Sequence, residues 1–282
     1  MSLAVRLGEL LDGTVRGIAD LGTSHSWTLH RAILSDGRDV FVKSTAAHAG
    51  ALAAEADGLR WLGAAAPNAV ASVLAVNETL LVLPWLPESA PTPEAAEQLG
   101  RDLAALHAHT PAAFGAPWPG WIARLPLDNT ETAEMSWARW YAERRLAPYL
   151  PAAARHLGPD GVRLVERVID RVEALAGPPE PPARIHGDLW SGNIRWCRDR
   201  ARLIDPAAHG GHRETDLAML ALFGAPQLDR LMGAYQEARP LADGWRERSP
   251  LHQLHPLLVH VVLFGRSYRE KVVAAAEAAL AV

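Results

Sequence analysis

The stretch His186-Gly187-Asp188-Leu189-Trp190-Ser191-Gly192-Asn193 decides the reading of this chain. Its acid, Asp188, stands five residues before the amide Asn193, and a second acid, Asp205, follows twelve residues later behind the apolar pair Leu203-Ile204. Phosphoryl transfer needs such a set. One carboxylate accepts the proton of an attacking hydroxyl, while an amide oxygen and another carboxylate hold the magnesium that neutralises phosphate charge. An isolated His-Gly-Asp is equally a turn whose acid caps a helix, but that alternative must also account for Asn193 and Asp205 at productive spacing. His186 reads as a brace for the loop rather than a proton carrier. Trp190 faces the expected acceptor site, where its ring would stack on a sugar or cover an apolar face; packing into the core is the alternative.

Outward from this loop, the run Gly177-Pro178-Pro179-Glu180-Pro181-Pro182 excludes regular structure and reads as an exposed connection into Arg184-Ile185. On the other side, Ile194-Arg195-Trp196 and Arg202-Leu203-Ile204 flank the polar turn Arg198-Asp199-Arg200, a hairpin that returns Asp205 to Asn193. Far upstream, Trp27-Thr28-Leu29, Ala32-Ile33-Leu34 and Val40-Phe41-Val42-Lys43 read as strands around the turn Ser35-Asp36-Gly37-Arg38, with further strands at 73–76 and 80–83. An Ala-rich helix is expected at 46–66. After Pro84-Trp85-Leu86-Pro87 the pattern becomes helical, at 93–109, 134–149, 159–176 and from 214 onward with breaks at Pro226, Pro240 and Pro250. The expected fold is therefore α+β and bilobal. A small antiparallel-sheet N-lobe (1–83) and a hinge (84–87) precede a larger, mainly helical C-lobe (88–282), the layout of the protein-kinase-like fold.

In the N-lobe, Phe41 and Lys43 point to one side of their strand and Val40 and Val42 to the other. A strand-end lysine that holds nucleotide phosphates needs an acid on the following helix. Glu55 shares the apolar stripe of Leu52, Leu59 and Leu62, whereas Asp57 falls off it, so Glu55 is the expected partner. The small residues of Leu21-Gly22-Thr23-Ser24-His25-Ser26 could bring backbone amides to phosphate or form a plain turn. Gly187 stands where protein kinases carry Arg in H-x-D-x-x-x-x-N, which points to a small-molecule acceptor. Pro206-Ala207 after Asp205 implies a fixed acid rather than a flipping one. Glu214 and Asp216 begin a helix and serve either as caps and ion-pair partners or as lining for a cationic-substrate pocket. His252, His255 and His260 show no zinc-ligand grouping along the sequence.

The bulk composition agrees. The chain has 282 residues, 49% hydrophobic and 21% charged, which suits an ordinary globular protein. A net charge of −4 without a basic block argues against nucleic-acid binding. No apolar run approaches the ~20 residues of a membrane span, and the charged N-terminus lacks a signal-peptide core. The one cysteine, Cys197, fits a reducing cytoplasm and reads as a packing residue rather than a nucleophile.

The loop string, together with Asp205-Pro206-Ala207, Gly211-His212-Arg213-Glu214, Asp216-Leu217-Ala218-Met219 and Leu222-Phe223-Gly224, resembles the fructosamine kinase (ketosamine 3-kinase) family. Supporting segments are Phe41-Val42-Lys43, Asp128-Asn129-Thr130, Trp140-Tyr141 and Arg145-Leu146-Ala147-Pro148. The resemblance implies ATP- and Mg2+-dependent phosphorylation of the sugar O3 of a ketosamine, whose 3-phosphate then breaks down and frees the amine. It implies Asp188 as catalytic acid/base, Asn193 and Asp205 as metal ligands, Lys43 and Glu55 as the phosphate-orienting pair, and Pro84, Trp85 and Leu86 as the adenine-binding hinge. Trp190 and Asp216 are expected at the substrate. Pro84 lacks an N–H, so base contacts would come from Trp85, Leu86 or carbonyls, and preference for ATP over GTP stays open. A soluble cytoplasmic monomer is expected, with no nucleic-acid or membrane partner. Other readings remain: a kinase of the same fold acting on an aminoglycoside, choline or a sugar, a non-catalytic nucleotide-binding module, or a metal-dependent phosphate hydrolase.

Overall fold

The strand pattern around Lys43 builds one face of a five-stranded sheet. In the computed structural model, which describes residues 1–282 apart from 25, 26, 47, 48 and 199 and the side chain at 49, the chain opens with helix α1 (Leu3–Leu11). Strands β1 (Val15–Ser24), β2 (Trp27–Leu34) and β3 (Asp39–Ser44) follow, then helix α2 (Ala49–Ala65) and strands β4 (Ala75–Val76) and β5 (Leu80–Pro84). The order is β1-β2-β3-β5-β4, antiparallel throughout. Val40 and Val42 pack with Leu7 and Leu11 of α1 on one face, so Phe41 and Lys43 are turned to the other. Strand β1, nearly all exposed, carries too little apolar alternation to be read from sequence. Pro84, expected in the hinge, still pairs with Val40 at the end of β5.

The rest is mainly helical. Helix α3 (Pro93–Ala108) starts at the cap Thr92, with Pro93 in its first turn where a missing N–H costs nothing. A small hairpin, β6 (Gly120–Ile122) and β7 (Leu125–Leu127), precedes α4 (Trp137–Tyr141). The chain then tightens through π and 3-10 turns into α5 (Leu150–Leu175). The helix expected at 159–176 thus begins earlier and kinks at Gly158, just before Pro159. Strand β8 (Ala183–Ile185), the hairpin β9 (Ile194–Trp196) and β10 (Ala201–Leu203), and β11 (His209–Gly211) surround the loop 186–193, and Asp199 of the expected turn lies outside the described residues. Helices α6 (Arg213–Phe223), α7 (Leu228–Ala238), α8 (Trp245–Phe264) and α9 (Arg269–Leu280) complete the chain.

Pro250 does not break the C-terminal helices as expected; it lies with Pro256 inside α8. Pro256 leaves the His252 carbonyl without its helical donor. The Tyr141 hydroxyl repairs the gap: it donates to Leu251 O at 2.8 Å, lies 3.3 Å from His252 O, and accepts the His255 N–H at 3.1 Å.

The two halves share one core. Leu52, Leu59 and Leu62 of α2 join Leu103 of α3, Ile194 and Leu203 of the β9–β10 hairpin, and Leu220 of α6. Main-chain bonds cross the same seam, Leu203 N–H to Ala69 O at 2.7 Å and Ala71 N–H to Leu203 O at 3.0 Å. Among the described residues no helix is long and apolar enough to cross a membrane.

Candidate active site

The loop 186–193 is held from behind by a buried acid. Asp216, in the first turns of α6, accepts the backbone N–H of His186 at 2.7 Å and of Gly187 at 2.9 Å. His107 of α3 adds a third contact at 3.2 Å, and its other ring nitrogen meets the Tyr235 hydroxyl at 3.0 Å. Burial alone would raise the Asp216 carboxyl, but these hydrogen bonds and the neighbouring histidines hold it below its ordinary value. Asp216 is 0% exposed, so the expectation that it lines the substrate pocket is corrected. A carboxylate beneath two backbone amides has no surface left for a ligand.

His186 is equally enclosed. Its Nε2 donates to Ile204 O at 2.9 Å, which leaves Nδ1 to accept the Asp188 N–H at 3.3 Å. Burial lowers its pKa, in keeping with a neutral brace. The glycine at 187 has a steric reason: φ is +78°, and a Cβ there would lie 2.3 Å from Ala207 O. Neither arginine nor any other side chain fits.

The hairpin then brings the expected site residues together. Asn193 Nδ2 donates to Asp188 O at 2.8 Å and to Asp188 Oδ2 at 3.1 Å, and Ile204 N–H to Asn193 O at 3.1 Å seats Asp205 alongside. Asp205 adopts a left-handed backbone, φ 57°, a costly state for a non-glycine residue that clusters at functional sites. Its carboxylate faces the open cleft and accepts a bond from Lys43 Nζ, which also meets Glu55 Oε2 at 2.7 Å. Burial would discharge Lys43, yet the two carboxylates more than offset it and hold the ammonium above its ordinary value. Burial, together with the charge of Asp205, raises the Glu55 carboxyl against the pull of Lys43. Asp188, partly withdrawn from solvent and facing the like charge of Asp205, is pushed up to about 7.

These groups line one cleft of about 720 Å³. On one side Leu29, Phe41, Leu83 and Ile204 form a flat apolar slot beside Pro84, Trp85 and Leu86. The Trp85 N–H is spent on Asp39 O at 2.9 Å, so the expectation that it contacts a base is corrected. Leu21 and Ser24 reach the cleft from β1, while His25 and Ser26 of the expected phosphate turn lie outside the described residues. Trp190 is 41% exposed and stands over the opposite side.

Sequence reasoning missed Arg195, which enters the cleft from β9 and pairs with Glu88 at 3.4 Å. It missed Trp118 and Trp121, and the wall of α6 and α8, whose available signal was an i, i+4 spacing of apolar and aromatic residues. It also found no histidine cluster, whereas His212, Glu214 and His252 lie with potential ligand atoms within 4.8 Å of one another. Arg248 already takes the place of a cation there, donating to both Glu214 oxygens at 2.6 and 3.1 Å. The group is thus a buried ion-pair network and not a built metal site.

The comparisons with known proteins follow this geometry. The family model described as fructosamine kinase matches residues 20–281. The "probable ketoamine kinase" TTHA1179 of Thermus thermophilus is 37% identical over 223 residues, spanning 78% of this chain and 79% of the relative. A crystal structure from Thermobifida fusca YX-ER1, provisionally named a fructosamine-3-kinase, superposes with a TM-score of 0.96 at 53% identity, covering 100% of this chain and 99% of the other. A macrolide 2'-phosphotransferase type I shares the fold alone, with a TM-score of 0.65 at 20% identity over 99% of this chain and 95% of the other. The bilobal, kinase-like architecture expected from the loop is the one observed, and the chain belongs to the fructosamine kinase family.

Proposed function

We propose that the chain transfers the γ-phosphoryl group of ATP to the sugar O3 of a ketosamine. The observation that carries the reading is the convergence of Lys43, Glu55, Asp188, Asn193 and Asp205 on one cleft whose two sides differ in chemistry. The apolar slot beside residues 84–86 suits a purine, and Lys43, oriented by Glu55, suits the phosphates. Asp188 receives the proton of the attacking hydroxyl as the new O–P bond forms and the bond to the ADP oxygen breaks. A carboxyl poised near neutrality is suited to that task.

The residues fit magnesium. Asn193 spends its Nδ2 on Asp188, which leaves its carbonyl oxygen free, and Asp205 turns a carboxylate to the cleft. Hard oxygen donors of this kind are what the ion prefers. When bound it would neutralise phosphate charge.

The reading is tested by ADP formation with Mg-ATP and a panel of fructosyl-lysine, ribulosyl-lysine, psicosyl-lysine, fructose, kanamycin and choline. Turnover confined to the ketosamines is expected; turnover on kanamycin or choline alone overturns it.

Trp190 supports an acceptor on the far side of Asp188, and Gly192 seats it. A Cβ at 192 would lie 2.3 to 2.7 Å from three atoms of the indole ring. Gly192→Ala is therefore expected to dislodge the ring and raise the ketosamine KM about tenfold, the scale of one lost stacking contact. The KM for ATP should move little. In a Trp190→Ala background the same change should have no further effect; an undiminished loss there refutes the seat.

A further inference from the structure

Beyond Trp190 the cleft runs on to a wall whose composition is unlike the rest. Helix α6 contributes Met219 and Phe223, four residues apart. Helix α8 and the turn after it contribute Pro256, His260, Phe264 and Tyr268, again at steps of four, so one stripe faces the cleft. The rings form a continuous cluster, His260 lying 4.9 Å from Phe223, 5.4 Å from Phe264 and 4.8 Å from Tyr268 between centroids. Gly265 ends α8, and the short 3-10 turn Gly265–Tyr268 folds Tyr268 back to within 6.0 Å of Phe264.

Two features mark this wall as a binding surface and not as core. Phe264 is 51% exposed, leaving apolar area in water that packing elsewhere would have removed. The charged residues lining the cleft, Lys43, Glu55, Asp188, Arg195 and Asp205, come from β3, α2, the catalytic loop and the β9–β10 hairpin, and none comes from α6 or α8. Of the titratable side chains on the wall, His260 and Tyr268, His260 donates Nδ1–H to Pro256 O at 2.7 Å, and burial lowers its pKa. It stays neutral. Lys271 Nζ stands over the Tyr268 ring, 5.4 Å from its centroid; along Met219, Phe223 and Phe264 a charged substituent would lose water, whereas an apolar or aromatic one gains ring contacts.

We infer that this wall is the subsite for the amine half of the acceptor, and that it selects ketosamines whose amine carries an apolar or aromatic substituent. The inference rests on the ketosamine reading above. Sugar and amine then divide the acceptor side: the sugar lies between Asp188 and Trp190, and the substituent lies along Phe223, Phe264 and Tyr268.

The test compares two acceptors that share one sugar, fructosyl-benzylamine and fructosyl-glycine, by ADP formation with purified protein and Mg-ATP. The expected kcat/KM ratio favours the benzyl compound by about tenfold, the discrimination a well-fitted apolar pocket reaches. Phe264→Ala, at a half-exposed position where folding is not at stake, should bring the ratio towards one; Phe264→Tyr should restore it. A wild-type ratio near or below one, or a ratio untouched by Phe264→Ala, overturns the subsite while leaving the ketosamine reading intact. No ADP with either compound, but ADP with kanamycin or choline, overturns both.

Discussion

Asp188→Asn is expected to lower turnover by about 10²- to 10⁴-fold, the range assigned to a positioned acid or base, with nucleotide binding retained. The substitution keeps shape and removes charge. In the fold, partial burial and the facing Asp205 push the carboxyl from 3.8 up to about 7. Between those two values the folded chain keeps a proton that the unfolded chain has released, so the group's contribution to stability falls as pH rises through that window. Above it, the wild type carries the full cost of an ionised Asp188, and the asparagine variant carries none. Thermal unfolding without nucleotide or metal at pH 8 should therefore place the variant at or above the wild type, with the difference fading near pH 4. A variant that melts lower at pH 8, or that keeps turnover, removes Asp188 from the role proposed for it. The combination of lost activity with undiminished stability is the pattern of a group placed for chemistry at the expense of the fold.

Asp216→Ala should have the opposite signature. Removing this carboxylate leaves the His186 and Gly187 N–H groups and the His107 ring without their acceptor at a fully buried position. Breaking a buried charged contact of this kind costs about 3–5 kcal/mol, which for a chain of this size lowers the melting temperature by about 10 °C. Turnover should fall as well, because the loop that carries Asp188 loses its anchor. The KM for acceptor is the deciding quantity. If Asp216 touched substrate, the variant would melt normally and bind acceptor poorly; a normal melting temperature with a raised acceptor KM would restore the original expectation.

The comparison of Asp188 with Asp216 shows what the sequence carries and what it does not. Asp188, Asn193 and Asp205 are legible because a loop and a short hairpin have so few ways to return that spacing fixes proximity. Lys43 and Glu55 are legible because strand alternation and helical periodicity choose a face. Asp216 begins a helix like any capping acid, and only the approach of the loop from another element turns it inward. Arg195 and the α6–α8 wall escaped for the same reason: each lies on an element whose local pattern is ordinary, and the cleft they line is made by packing across the chain. Pro250 misled in the other direction: α8 runs through it and on through Pro256, where the orphaned His252 carbonyl is met by the Tyr141 hydroxyl from more than a hundred residues away.

The seam between the two halves has a consequence for how such an enzyme can be inherited. Leu203 exchanges main-chain bonds with Ala69 and Ala71, and Leu52, Leu59 and Leu62 complete their packing only against side chains that lie after residue 93. A gene fragment ending after residue 87 would encode the sheet and α2 with one greasy face and two unmatched main-chain groups, a species prone to precipitate. The small lobe is therefore not a cassette that recombination can lend to another catalytic half. Substitution is borne most freely where nothing is laced, at the open rim beyond Trp190.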